Sequence, residues 1–509
     1  MNKKIMNKKT ILTILLAVLL FPLGAEAKKK AKEETVPQLT NYPSATLDEQ
    51  LFQGGDVVLK GHIAGLPEND IPEEVLAKIN GIFSVIMRDY VTNREEQSVI
   101  EFGSNGTFSL NIHVPHPMFL LIYPTSMVYA CPGDTLELAI DPTKPTKEEG
   151  VTWTGTGVSG EVTRLYEKIH KAYCDIQLNG IDKKSPDSVM IWKDKQVEQL
   201  DDLVRRMNAG LPELAECSPL ASDILRTHII AEHLYDICSA FEQKEDSIPD
   251  IDSYWQRYFS FAAPREKYLL DNPLLMIAGD FFFFNRVEFS LMRPLRSSHW
   301  EGNTCQTAMN ELHDKLHLSP TDFTAQVCQL RSSCYEIFNW YKNDNDKAAD
   351  IMAATLPVIT HPELCRHAVR AYRDYVKKYE IKVEEQKPLT KGDSIFQRII
   401  EPYKGNVLYV DFWAMSCGPC RAKMLRMRDE VEANKDKPVK YIYITYDTPE
   451  ECRSFLEPNN IKGEHIHVTQ QEWGYLSEKF NFSGIPFIVL FDKQGKQRDD
   501  TDVEHLLNE

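Results

Sequence analysis

The residues best suited to chemistry are two cysteines, Cys417 and Cys420, separated by Gly418 and Pro419. A pair at this spacing can cycle between dithiol and disulfide, and such exchange runs through the thiolate. The residues ahead of it, Val407 to Trp413, are β-branched and aromatic apart from Leu408 and Asp411 and predict a buried strand. The residues behind it, Arg421 to Glu432, read as a helix. The pair therefore stands at a strand-to-helix corner. Unpaired N–H groups and the dipole at a helix N-terminus favour an anion, so a thiolate there is stabilised.

The corner belongs to a chain of 509 residues with a formal charge of −17. The chain starts with Lys3, Lys4, Lys8 and Lys9, an apolar run from Ile11 to Leu23, and Ala25-Glu26-Ala27. That order predicts a secretory signal, residues 1–27, cleaved after Ala27. The apolar run falls short of the roughly 20 residues of a membrane span, so stable insertion is not expected after cleavage. Losing four Lys and one Glu with the signal moves the charge to −20. A surface this acidic argues against nucleic acid as a partner, because phosphate binding needs basic residues. The basic run Lys28 to Lys32 reads as part of a flexible linker, residues 28–47.

Eleven cysteines are an odd number with scattered spacing. If Cys417 pairs with Cys420, most of the rest fall on apolar helical faces, where a free cysteine behaves as a small buried hydrophobe. No second C-x-x-C and no zinc-type Cys/His spacing occurs, so neither a closed zinc site nor another cofactor is expected. His465 and His467 read as polar residues of a strand.

Residues 48–150 read as an all-β sandwich, with strands at Val57–Ile63, Ser98–Phe102, Thr107–Val114, Met118–Tyr123 and Thr135–Ile140. From residue 151 to 385 the apolar period changes to about 3.6, which predicts an all-α domain. One of its helices is expected to begin with Ser319 as cap and Pro320 in the first turn. The run Phe281 to Phe284 reads either as a helix buried on all sides or as the lining of a groove for an unfolded client. Lys377 to Lys391, with Pro388, reads as a linker. Residues 386–509 then alternate strands and helices, the pattern of a mostly parallel α/β sheet.

In this last domain, Val410-Asp411-Phe412-Trp413-Ala414 and Cys417-Gly418-Pro419-Cys420 closely resemble thioredoxin. The added helix before Gly484-Ile485-Pro486 is similar to exported TlpA/ResA-type thiol-disulfide oxidoreductases. The resemblance implies a thioredoxin fold, a periplasmic location and a protein-disulfide reductase. Its partners would be disulfide-containing clients and a membrane thiol donor. It also assigns roles: Cys417 as nucleophile, Cys420 as resolving thiol, and Asp411 as acceptor of the Cys420 proton. Trp413, Gly418, Pro419, Ile485 and Pro486 would form the client-binding face, with a cis peptide before Pro486. Without the resemblance, Asp411 also reads as a solvated edge-strand carboxylate and Pro486 as an ordinary trans proline opening a strand.

Three positions depart from the family. Ser416 stands where a Trp commonly precedes the nucleophile, and Tyr443 where thioredoxin has a lysine near the buried Asp. After Gly495 the chain is too polar for a good final strand. Two other functions compete with the reductase. A peroxiredoxin-class peroxidase would want Thr where Ala414 stands, and a client-binding module would keep the disulfide as a purely structural link.

Overall fold

The computed structural model describes residues 36–40, 51–64, 71–92, 94–123, 126–144, 150–174, 185–242, 248–297, 305–339, 341, 344–380, 390–498 and 503–508. The expected signal, nearly all of the expected 28–47 linker and the segment around Pro388 lie outside them. The chain has N-terminal β-sheets, a central α-helical region and a C-terminal α/β domain.

Eight strands build the N-terminal sheets: β1 (Gly55–Ile63), β2 (Ser84–Asp89), β3 (Arg94–Val99), β4 (Thr107–Val114), β5 (Met118–Tyr123), β6 (Ser126–Ala130), β7 (Thr135–Ile140) and β8 (Val151–Gly155). One sheet has the order β4-β1-β7-β8 and the other β3-β2-β5-β6. Alternation sets the pairing. Phe108 and Val114 of β4 point inward while Thr107, Ser109, Asn111 and His113 face out or lie at the edge of the core. The expected strand Ser98–Phe102 is shifted to Arg94–Val99, and β2, β6 and β8 have no counterpart among the expected strands.

The apolar core of these sheets continues without a break into the helices, through Phe119, Val128, Val162, Ile229 and Phe284. Phe283 and Phe284 are fully buried, in a helix, Phe281–Phe289, that packs on Pro219–Glu242. For these two rings the buried-helix reading holds and the open client groove does not. Ser319 does not cap the next long helix, Phe323–Asn339; Asp322 Oδ1 accepts from Ala325 N at 3.0 Å instead. Ser319 accepts from Thr321 N in the turn before it. Aspartate and serine cap equally well, and here the aspartate lies nearer the first helical residue.

The C-terminal sheet comprises β9 (Val407–Phe412), β10 (Val439–Thr445), β11 (Glu464–His467), β12 (Phe487–Phe491) and β13 (Gln497–Arg498), in the order β11-β10-β9-β12-β13. Strands β9, β10 and β11 run parallel; β12 and β13 are antiparallel to their neighbours. The central strand β9 is buried at every residue. Val407, Tyr409 and Trp413 pack on one face, and Leu408, Val410 and Phe412 on the other. The final strand is two residues long, as the polar sequence after Gly495 led one to expect.

This domain docks on the edge strand β3 through the helix Gln470–Phe480. Gln97 Nε2 donates to Ser477 Oγ (2.9 Å), Val99 N to Glu478 Oε1 (3.2 Å), and Ser483 Oγ to Glu95 Oε2 (2.7 Å). An edge strand left with unpaired N–H groups invites foreign pairing, and Glu478 occupies one of them. The backbones themselves come close at Gly474 and Gly81, where a Cβ on Gly474 would overlap Gly81 O. The Gly474→Leu variant is expected to part the two domains. Hydrogen exchange of the β3 amides should then rise about tenfold or more while the secondary-structure signal by circular dichroism is kept. Unchanged exchange in β3 would show that the contact does not hold the domains together.

Candidate redox site

The corner that carries the cysteines is fixed from below. Trp413 N donates to Ile444 O (3.0 Å), continuing the β9–β10 pairing past the strand end. Met415 N donates to Asp447 Oδ2 (2.5 Å), and Thr445 Oγ1 donates to the same oxygen (3.2 Å). Cys417 N then closes a turn on Ala414 O (3.0 Å), and Cys417 is the N-cap of the helix Gly418–Ala433, with Pro419 in its first turn. Proline fits there because the N–H it lacks has no helical partner at that position.

Cys417 and Cys420 form a disulfide. Cys417 is 9% exposed and is flanked by exposed Ser416, Gly418 and Pro419, whereas Cys420 is fully buried. An outside sulfur can therefore reach only Cys417. Cys420 N–H points at Cys417 Sγ (3.1 Å), so the group that would steady a thiolate is already aimed at that sulfur. On the far side Cys417 Sγ lies 3.7 Å from Ile485 O, and the Ile485–Pro486 peptide is cis. Pro486 is exposed and Ile485 half-buried, so both share the rim with Gly418 and Pro419.

Trp413 does not join that rim. It is 0% exposed and packs against Phe455 (ring centroids 6.1 Å apart) within the same apolar cluster as both cysteines. Its expected role in client binding is corrected to one of support, because a side chain with no exposed surface cannot touch a client.

Asp411 is also fully buried. Alternation along β9 puts it on the face that holds Tyr409 and Trp413, which is the face covered by the cysteine helix. Burial pushes its carboxyl up to about 6, against a downward pull from Lys423. Lys423 Nζ lies 3.4 Å from Asp411 Oδ2, close enough to pair electrostatically but without hydrogen-bond alignment; both carboxylate oxygens lack a hydrogen-bond partner among the described residues. Lys423 itself is pushed down, first by burial.

The cation beside the buried carboxylate thus comes from Lys423, a residue that sequence reasoning missed. Tyr443, where a lysine was sought, pairs in register with Asp411 and stacks on His465 (5.2 Å). A signal for Lys423 was present: Lys423, Met424 and Met427 lie three, four and seven residues after Cys420, which sets them on one helical face toward β9. Among the described residues most other thiols are buried, and Cys131 and Cys217 are half-buried. Cys238 and Cys328 are fully buried, and burial pushes the Cys365 and Cys452 thiols up to about 11. Among the described residues, no three His, Cys, Asp or Glu side chains are grouped to hold a metal.

Residues 405–497 match the family model described as thioredoxin-like, and the C-terminal domain has that fold. Comparison with curated proteins gives no match. Among solved structures, the thioredoxin domain of a thiol-disulfide oxidoreductase from Bacteroides vulgatus is similar at 24% identity, with a TM-score of 0.19. The match spans 19% of this chain and 71% of that one. A thiol:disulfide interchange protein from Bacteroides sp. is similar at 24% identity and TM-score 0.19, over 19% of this chain and 65% of that one. One from Chlorobium tepidum is similar at 20% identity and TM-score 0.18, over 19% and 70%.

The Asp411 carboxyl, raised from an ordinary 3.8 to about 6, holds an extra proton in the folded state between those two values. Its charge therefore costs stability as pH rises through that window, to a total of about 3 kcal/mol above it. Asp411→Asn should gain on wild type by about that amount between pH 4 and pH 7, read as native-state hydrogen exchange of the β9 amides. Lys423→Met should push the carboxyl higher still, read by infrared titration of the buried carboxyl; an unmoved titration would separate the two groups.

Proposed function

We propose that this protein is an exported, TlpA/ResA-type thiol-disulfide oxidoreductase that reduces disulfides of client proteins in the periplasm. One observation carries the reading. The cysteine pair caps a helix with only Cys417 accessible, beside the Ile485–Pro486 turn, and Cys420 is buried on the face that holds Asp411. The apolar leader at residues 11–23 supports export. Cys-Gly-Pro-Cys supports the reducing direction, since thioredoxin with the same pair is poised near −270 mV.

In the reaction, the Cys417 thiolate attacks one sulfur of a client disulfide. A new S–S bond joins enzyme to client, and the other client sulfur leaves as thiolate and takes a proton from solvent. Cys420 then gives up its proton, with Asp411 as acceptor, and attacks Cys417 Sγ. The intramolecular disulfide forms and the second client thiol departs, so two electrons pass from enzyme to client. A membrane thiol donor restores the dithiol in a second exchange. A carboxyl near pKa 6 suits the proton step, being ionised at neutral pH yet able to hold a proton.

Cys420→Ala should trap clients as mixed disulfides with Cys417, visible as dithiothreitol-sensitive adducts, and Cys417→Ala should abolish both trapping and reduction of a test disulfide. The wild-type potential, read by equilibration with glutathione or dithiothreitol, should lie near about −270 mV. A value near about −120 mV would make the protein an oxidase, and wild-type activity equal to that of Cys417→Ala would leave the disulfide structural.

A further inference from the structure

Between the β-domain and the thioredoxin-like domain lies a cleft that opens to solvent. Its walls come from both domains: Ile86 and Tyr123 on one side, Tyr446, Trp473, Phe482 and Ile485 on the other. None of its lining residues is charged, in a chain with 75 acidic and 58 basic residues. Tyr123 is 45% exposed, one of few large apolar side chains left so open among the described residues.

The cleft adjoins the redox pair by two routes. Ile485 lines it and carries the carbonyl that faces Cys417 Sγ at 3.7 Å. Ser416, the exposed neighbour of Cys417, lies near Tyr446, whose ring meets Trp473 edge-on with centroids 4.8 Å apart. A polypeptide whose sulfur reaches Cys417 and whose chain runs on past Ile485 must enter this space. The nearest charges, Arg88 and Glu95, are paired with each other behind Ser483, so a small charged disulfide such as that of glutathione would find no free counter-charge in the lining.

We propose that the cleft is the docking site for the client, taken as an extended disulfide-bearing segment with an aromatic or aliphatic side chain beside the reacting cysteine, held between Tyr123 of the β-domain and Tyr446 of the redox domain. This rests on the disulfide-exchange reading of Cys417 and deepens it by naming the class of substrate. It also accounts for Ser416. A small residue there leaves room, and the aromatic surface beside the nucleophile is supplied by Tyr446 and, from another domain, by Tyr123.

The test uses the full chain and two peptide disulfides that differ only in the residue before one cysteine, Phe or Asp. Wild type should prefer the Phe peptide in kcat/KM by about tenfold, and Tyr123→Ser, an exposed position that the fold does not need, should bring the ratio to within about twofold of unity. Tyr446→Ala should act in the same way. No preference in wild type, or the same preference in Tyr123→Ser, would overturn the proposal. Binding of the Phe peptide with Ser in place of Cys is read by calorimetry, independently of redox turnover. Its Kd should weaken about five- to twentyfold in Tyr123→Ser. If wild type binds this peptide so but reduces neither disulfide, the redox reading fails and the docking site stands; if it reduces both and binds no Cys-free peptide, the docking site fails alone. A dimer in sedimentation that Tyr123→Ser dissociates would assign the cleft to a second copy of the chain and overturn the proposal.

Discussion

Strand β9 must be covered on both faces, and one of its inward side chains is a carboxylate. Covering both faces requires helices above and below, which is what the apolar residues of Gly418–Ala433 on one side and of Lys391–Ile400 on the other provide. An ionised Asp411 without compensation would cost several kcal/mol in such a place. The helix that begins at Cys417 answers with Lys423, one turn beyond Cys420. A single element thus presents the reactive sulfurs, closes the sheet face and partly neutralises the buried charge. Moving that helix would disturb all three.

The coupling between domains rests on a different constraint, the absence of side chains. Gly474 and Gly81 let a helix lie directly on a loop of the β-domain, and only that distance brings Ser477 and Glu478 within reach of β3. Glu478 is partly desolvated by the contact, and burial raises its carboxyl; the Val99 N–H opposes that rise. The docking is mostly polar and backbone-based, in contrast to the continuous apolar core that unites the sheets and helices ahead of it. Rigid attachment on one side and a polar seam on the other leave the cleft between them uncovered.

What the sequence made legible follows from range. The strand-helix corner at Cys417 is a local pattern and lies where its residues suggested, whereas the burial of Asp411 and the cis peptide before Pro486 follow what the resemblance implied and were left open by the residues alone. The helical region was readable from its 3.6-residue apolar period, which is regular in Pro362–Glu380. Ser126–Ala130 and Val151–Gly155 were not, because five residues of mixed polarity carry too little alternation to stand out. Trp413 misled in another way: the resemblance assigned it to the client-binding face, yet the buried strand read from Val407 to Trp413 and its inward register decide its burial. Tyr123 could not have been connected to Tyr446 at all, since nothing within either segment encodes a shared cleft across more than three hundred positions.

The small kinetic return from tuning one thiol makes the distant residues matter more. Lowering a cysteine pKa from about 8.5 to about 7 raises its thiolate fraction at neutral pH some sixteenfold, but nucleophilicity falls by roughly a factor of six, so attack gains about threefold. The lower pKa serves better in the second step, where Cys417 is the leaving group. Selection among clients must then come from how a disulfide is held against Cys417. A well-placed apolar contact is worth about tenfold per side chain, more than the thiol tuning itself. On that scale, and under the proposed reaction, the walls contributed by Tyr123 and Tyr446 would outweigh the cysteine's own chemistry in deciding which disulfide exchanges, while the buried pair Asp411 and Lys423 would set the proton step that resolves the mixed disulfide.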